Sequence, residues 1–307
     1  MNLFTKFQVK DMILRNRVVL PPMDMYCATE DGFPTDAHFV HYVSRALGGT
    51  GLIIMEATGV LPRGRISDNC LGLWSDKHIE PLRNIVAACQ ARGAKVAIQL
   101  NHAGRKCYAK AEPYIHAPSA IAFSDEYRCP RAIQQDEIAE VVDAFRTAAK
   151  RAYLAGFDAL EIHAAHGYLI SEFLSPITNK RTDAYGGSVE NRCRFPLELC
   201  RAIKAACGQD FLIEAQISGE EEAGGYTLED TVAFAKLAEG AIDILTIRGF
   251  DGSESHPTGL NSRPGQYATL RAAEAIKKSG ARVLVAVNGG YQDPLDCERI
   301  LAEGKAD

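Results

Sequence analysis

The stretch from Asp136 to His163, DEIAEVVDAFRTAAKRAYLAGFDALEIH, decides the fold class. Ile138, Val141, Val142, Phe145, Ala149 and Ala152 form one stripe at helical spacing, Gly156 follows as a C-cap, and Ala159 to His163 reads as a short buried strand. The same joint of helix, glycine and strand recurs along the chain. Ile79, Leu82, Ile85, Val86 and Cys89 precede Gly93 and the strand Lys95 to Leu100. A helix opened by a Thr227/Asp230 capping box reaches Gly240 before Ile242 to Ile247, another stripe leads through Gly280 to Val283 to Val287, and Gly51 stands before Leu52 to Met55. Val18 to Leu20, and Phe211 to Ile217 after a helix from Ser188 to Cys207, complete seven strands alternating with helices. Continuous apolar strands separated by helices imply a parallel sheet covered on both faces. With no linker or break in composition, the regular succession predicts one (β/α)8 TIM barrel, a single domain over residues 1–307, rather than two doubly wound halves. Ile300 to Gly304 makes one more helix–glycine joint, with no eighth strand after it. The expectation is therefore a barrel incomplete at its C-terminal end, its parent polypeptide continuing beyond Asp307.

Composition narrows the function classes. Of 307 residues, 47% are hydrophobic and 24% charged, enough for a sizeable core and too apolar for a disordered chain. Lys and Arg number 34 against 39 Asp and Glu, with no long basic run, which argues against binding a nucleic-acid backbone. Apolar runs fall far short of the roughly 20 residues that cross a bilayer, so no membrane association is expected. The N-terminus lacks the apolar core of a signal peptide, which predicts a cytoplasmic protein. Nine scattered cysteines without a CxxC pair argue against a disulfide framework or a zinc ribbon. Cys193, Cys200 and Cys207, spaced by seven on one helix, read as small buried thiols.

In a βα barrel the chemistry lies at the C-terminal ends of the strands. Polar residues there are Asp24 and Tyr26 after the first strand, Gln99 and His102 at the third, and His163, His166 and Tyr168 at the fourth. Gln216 follows on the fifth and Arg248 after the sixth. Asn288, Gly289 and Gly290 end the seventh, where backbone amides could nest a phosphate. Two imidazoles and a phenol emerging together suit a substrate carbonyl and proton delivery to carbon. No third ligand or HExxH pattern accompanies the histidines, so a metal site is not expected. The polar loop from Ser175 to Arg192 reads as scaffold braced by internal salt bridges and hydrogen bonds.

Taken together, these residues resemble the Old Yellow Enzyme family of FMN-dependent NAD(P)H ene reductases, particularly its bacterial YqjM-like branch. The resemblance covers nearly the whole chain. It rests on Leu3-Phe4 with Leu14 to Arg17, Pro21-Pro22-Met23, Gln99 to Lys106, the double-histidine strand end, and Ser175 to Arg192. It implies FMN at the barrel mouth, reduced by NADPH or NADH, with hydride passed from flavin N5 to the β-carbon of an activated alkene. By position, Pro21, Pro22, Met23 and Asp24 would line the flavin, with Ala57 beside it and Gln99 on its pyrimidine edge. Asn288 to Gly290 would meet its phosphate. His163 and His166 would hold the substrate oxygen, Tyr168 would protonate the α-carbon, and Tyr26 would line the substrate pocket. Tyr108, Tyr114, Phe123 and Tyr127 are further candidates for that lining.

Three positions depart from the family pattern. Asp24 stands where the family usually has Cys or Thr, so it either stays protonated as a donor or lowers the flavin potential. Gln216 replaces an Arg that offsets charge on the reduced flavin, and Arg248 is a candidate substitute. The Gly-Arg pair of an eighth strand is absent from the sequence. The expected activity is reduction of the C=C bond of α,β-unsaturated carbonyl compounds, small-molecule substrates of enone type. The alternatives are the barrel of a larger flavoprotein, dienoyl-CoA reductase-like or amine dehydrogenase-like, and a degenerate non-catalytic barrel. The same branch suggests a homo-oligomer.

Overall fold

Seven strands and the helices between them build the barrel in the computed structural model, which describes residues 2–109, 113–221, 223–249 and 263–307, with side chains from 268 in the last segment. A hairpin of β1 (Phe7–Val9) and β2 (Met12–Leu14) comes first, then β3 (Val19–Leu20), α1 (Asp36–Leu47), β4 (Leu52–Gly59), α2 (Ile79–Gln90) and β5 (Lys95–Asn101). A short pair, β6 (His116–Ala117) and β7 (Arg131–Ala132), interrupts the alternation before α3 (Gln135–Ala155) and β8 (Ala159–Ala164). The chain continues through α4 (Leu169–Leu174), α5 (Val189–Cys207), β9 (Leu212–Ser218), α6 (Leu228–Leu237), β10 (Ile244–Arg248), α7 (Arg263–Lys278), β11 (Leu284–Asn288) and α8 (Pro294–Ala302). The main sheet runs β3-β4-β5-β8-β9-β10-β11 with every neighbour parallel. Gly156 closes α3 in the left-handed conformation at φ 89°, and Thr227 accepts from Asp230 N at the start of α6, as the sequence predicts.

Register sorts the strand side chains into layers. Leu52, Ile54, Ala97, Ala159 and Leu212 form a floor inside the barrel, sealed by Val9, Met12 and Leu14 of the hairpin. Outward residues such as Val96, Ile98, Leu160 and Ile213 pack with Phe145 and Phe195 of the helices in the larger core. Above the floor the interior turns polar. Gln99 pairs in register with Glu161, and Glu161 with Glu214. One step higher His163 is opposite Gln216 and Gln216 opposite Thr246, and Arg248 pairs with Asn288. Several strands thus extend past the sequence-based ends to include a polar residue at the C-terminal edge: Asn101, Ala164, Ser218, Arg248 and Asn288 terminate five of them, four being polar. Burial of the polar end inside the barrel, rather than apolar character, fixes where the strand stops.

Among the described residues no strand pairs with both β11 and β3. Asp307 reaches into that gap. Its backbone N donates to Val285 O (2.8 Å), its Oδ2 accepts from Val285 N (2.9 Å), and Arg17 donates to its carbonyl oxygen. The nine cysteines stand as free thiols, with Cys193 and Cys200 buried and Cys207 half-buried on α5. No helix among the described residues is long and apolar enough to cross a membrane.

Candidate active site

The fourth βα joint supplies the densest chemistry. β8 carries His163 at its end, the chain reverses through His166 at φ 59° and Gly167 at φ 66°, and Tyr168 caps α4. The Ala165 amide donates to His163 Nδ1 (3.4 Å), and His163 Nε2 lies 3.0 Å from His166 Nδ1. An imidazole whose Nδ1 accepts must carry its proton on Nε2. His163 therefore donates to His166, which in turn must carry its own proton on Nε2, a buried atom without a protein partner. In this tautomer the two histidines form a directional chain whose last donor is His166 Nε2.

Electrostatics keeps this chain neutral. Burial, then the charges of Arg248 and Lys106, lowers His163 to about 3, and the same burial with Arg248 holds His166 well below its ordinary value. Tyr168 stands edge-on to His163, ring centres 4.8 Å apart at 85°. Burial, followed by the nearby Asp24, pushes its hydroxyl well above the usual phenol range, so it stays protonated.

Tyr168 also forms one wall of an open cavity of about 440 Å3, lined with Tyr26, Ile66, Ser67, Lys106, Tyr108 and Tyr127. Of the aromatic lining expected from sequence, Tyr26, Tyr108 and Tyr127 are there. Tyr114 lies beside His116 with ring centres 5.1 Å apart, and Phe123 packs edge-on against Tyr127 at 4.8 Å. Lys106, Ser67 and Ile66 line it without having been singled out for that role. Lys106 sits there because its Nζ donates to His166 O (3.0 Å) and stands 4.2 Å from the Phe123 ring centre. The turn that places it requires Gly104 at φ 58°, where an added Cβ would lie 2.1 Å from Glu172 Oε1. Arg105 N donates to that same oxygen (2.8 Å).

Around the mouth the other candidates converge from separate strands. Pro21 to Asp24 follow β3, with Pro22 buried and Met23 57% exposed. Asp24 Oδ1 is buried without a partner; burial and then the Glu56 charge raise this carboxyl to about 8, so it is neutral at pH 7. Glu56 itself is pinned by the Tyr42 hydroxyl (2.9 Å) and by His38 Nε2 (3.4 Å). Ala57 is buried on β4 where the register shifts between Met55 and Thr58, a break in the ladder that turns the strand at the site. Gln99 donates through Nε2 to Glu161 Oε1 (2.6 Å). Gln216 is fully buried, and neither of its amide atoms has a hydrogen-bond partner. Asn288 Nδ2 is also unsatisfied, followed by Gly289 and Gly290 at φ 117° and 75°. His102 is buried with its Nδ1 accepting from Gly104 N (3.2 Å), a structural role at the turn.

The Ser175 to Arg192 loop is braced as its charges suggest. Arg192 donates to Leu174 O (2.8 Å), Gly187 O (2.7 Å) and Asp230 (2.8 Å); Arg181 binds Asp183 and Ile133 O (2.6 Å). Asn179 Nδ2 ties Phe173 O to Tyr185 O at 2.7 and 2.8 Å. Among the described residues no cluster of three or more His, Cys, Asp or Glu could hold a metal ion.

Buried polar atoms are nearly always satisfied in folded proteins. Unpartnered Asp24, His166, Gln216 and Asn288 at one barrel end therefore mark a polar ligand's place, with a glycine pair suited to phosphate and an aromatic cavity beside it. These residues fit FMN. Fold and site together define a barrel flavoprotein oxidoreductase. Residues 2–307 match the NADH:flavin oxidoreductase / NADH oxidase family, and the chain belongs to it. It is an enzyme of the Old Yellow Enzyme type that uses FMN and a nicotinamide hydride donor.

Among its relatives, the NADPH dehydrogenase of Clostridium acetobutylicum is 43% identical over 310 residues, covering 100% of this chain and 89% of that protein. The NADPH dehydrogenase of Bacillus subtilis (strain 168) is 43% identical, covering 99% and 88%. Morphinone reductase, solved with tetrahydroNAD, superposes with a TM-score of 0.84 at 29% identity, covering 100% of this chain and 85% of its own. A 2-naphthoyl-CoA reductase solved with 2-naphthoyl-CoA gives 0.92 at 29% identity; this chain spans 49% of its length.

Proposed function

We propose that this enzyme reduces the C=C bond of α,β-unsaturated carbonyl compounds, drawing hydride from NADPH or NADH through FMN. The observation that carries this reading is the directional histidine chain, which ends in a buried Nε2 donor on His166 beside a protonated Tyr168 on the cavity wall. When bound, FMN supplies the hydride to the substrate's β-carbon. The substrate carbonyl accepts from His166, whose polarity is set by His163 and the Ala165 amide, and the β-carbon becomes electron-poor. Neutral imidazoles keep this donor from losing a proton to the oxygen prematurely. Tyr168 Oη then delivers its proton to the α-carbon and recovers one from solvent through the open cavity. Tyr26, Tyr108 and Tyr127 give an apolar wall for a planar conjugated substrate, with Lys106 as its cationic edge.

In this reading residues 1–307 form one FMN-binding barrel domain. Pro21, Pro22, Met23, Asp24 and Ala57 line the flavin ring, Gln99 and Gln216 meet its pyrimidine side, and Asn288, Gly289 and Gly290 receive the phosphate. The test is an anaerobic titration of FMN-loaded protein with NADPH and then NADH, followed by an enone. Bleaching at about one equivalent, reversed by the enone, supports the cycle. Tyr168→Phe should leave nicotinamide reduction intact and slow enone-driven reoxidation by about 10²- to 10⁴-fold. Equal slowing of both halves, or of neither, would overturn the assignment of Tyr168.

A further inference from the structure

Three interior side chains lie in one row below the site, and two of them are carboxyls that the proposed reaction does not use. Gln99 on β5, Glu161 on β8 and Glu214 on β9 are successive register partners on parallel strands, so they face the barrel interior side by side. All three are buried. Glu161 Oε1 accepts from Gln99 (2.6 Å), and Glu214 Oε1 accepts from the Thr246 hydroxyl on β10. Glu161 Oε2 is buried with no donor to satisfy it. Two carboxylates side by side in a low-dielectric interior cannot both ionise. An oxygen without a donor is satisfied by carrying the proton itself, and Glu214 is the acceptor next to it.

We infer that Glu161 and Glu214 hold one proton between them, on Glu161 Oε2 and donated to Glu214, and that this pair positions the Gln99 amide for the ligand in the barrel mouth. Burial, and then the Glu214 charge, favours the neutral form of Glu161. Thr246 steadies the remaining charge on Glu214, and Arg248 lies within electrostatic reach from β10. With its proton turned to Glu214, Glu161 presents only a carbonyl-type oxygen to Gln99. Gln99 must answer with its NH2 group. Its carbonyl oxygen is then the fork atom left for a ligand N–H, such as the imide of a flavin pyrimidine. Without the pair the amide could flip and offer the wrong atom. This last step rests on the assignment of Gln99 to the flavin proposed above, whereas the shared proton does not. Glu161 and Glu214 are thus positioning residues.

The test begins with infrared difference spectra of the cofactor-free protein, wild type minus Glu161→Gln, at neutral pH. A protonated-carboxyl C=O band that belongs to Glu161 is expected. Asp24 and Glu172 are present in both proteins and cancel. In Glu214→Gln the same band should persist at a shifted frequency, because its acceptor changes from carboxylate to amide. Absence of the band in the first difference, or no shift in the second, overturns the shared proton; the second comparison also decides the matter if Glu161→Gln does not fold. FMN affinity, read by flavin fluorescence, should hold in Glu161→Gln, whose amide keeps a carbonyl oxygen for Gln99 and an N–H for Glu214, and should fall about tenfold or more in Glu161→Leu, which offers Gln99 no acceptor. Unchanged affinity in Glu161→Leu overturns the positioning of Gln99. Failure of the wild type to bind FMN would overturn the flavin-site reading instead, with the infrared result still standing.

Discussion

Asp24 offers the sharpest quantitative prediction, because its environment converts into a pH dependence of folding. Its carboxyl moves from an ordinary value of 3.8 to about 8 in the folded chain, first by burial and then by the Glu56 charge. A raised carboxyl contributes stability that is fully present below its unfolded value and lost as pH rises through its folded value. Against a neutral isostere, the cost of Asp24 is of order 3 kcal/mol at pH 6, and it levels off at about 5 to 6 kcal/mol by pH 9, at about 1.36 kcal/mol per unit. Asp24→Asn should therefore be the more stable protein. Its advantage should grow by about 2 to 3 kcal/mol between pH 6 and pH 9. Urea denaturation of both cofactor-free proteins across that range reads the difference directly. Glu172, also raised to about 8 by burial, titrates in both and drops out of the comparison. A stability difference that stays flat from pH 6 to pH 9 would show that Asp24 is ionised throughout, and the neutral-donor reading of this position would fail with it.

Three other perturbations separate the roles at the site. His166→Ala removes the terminal donor, so kcat/KM for an enone should fall by about 10²-fold while the rate of nicotinamide-driven bleaching holds. Gln216→Arg places a cation where two amide atoms now lack partners. The flavin midpoint potential should rise by tens of millivolts, measured by dye-coupled reduction, and an unchanged potential would place Gln216 away from the ring. Arg192→Leu breaks three bonds, one to Leu174 O of α4, one to Asp230 of α6 and one to Gly187 O within the loop. It should cost about 2 to 4 kcal/mol in denaturant unfolding, with little change in the absorbance of bound flavin.

Much of the site was legible because strand ends and polar residues coincide. Reading His163, His166 and Tyr168 as one unit needed only the strand before them and the short spacing after it. Their division of labour was not legible. The order of donation depends on the Ala165 amide and the distance between two rings, neither of which has a sequence signal. Lys106 was visible in its motif, yet its place on the cavity wall comes from a bond to His166 O, sixty residues away in the chain. Tyr114 and Phe123 carried the same aromatic signal, but their packing against His116, Arg131 and Tyr127 is a tertiary fact that the sequence does not show. The β1–β2 hairpin was missed because three-residue strands carry too little periodicity, although Val9, Met12 and Leu14 seal the barrel floor.

The sequence by itself determined the alternation of strands and helices, the glycine-capped joints and the set of polar residues at the strand ends. Helical period, left-handed glycines and apolar runs are local properties, and local sterics enforce them. Only the tertiary structure decided which polar groups share a layer, because that depends on register between strands far apart in the chain. Register sets Glu161 against Glu214 and Gln216 opposite His163. Burial in that shared interior then fixes which of these groups carries a proton.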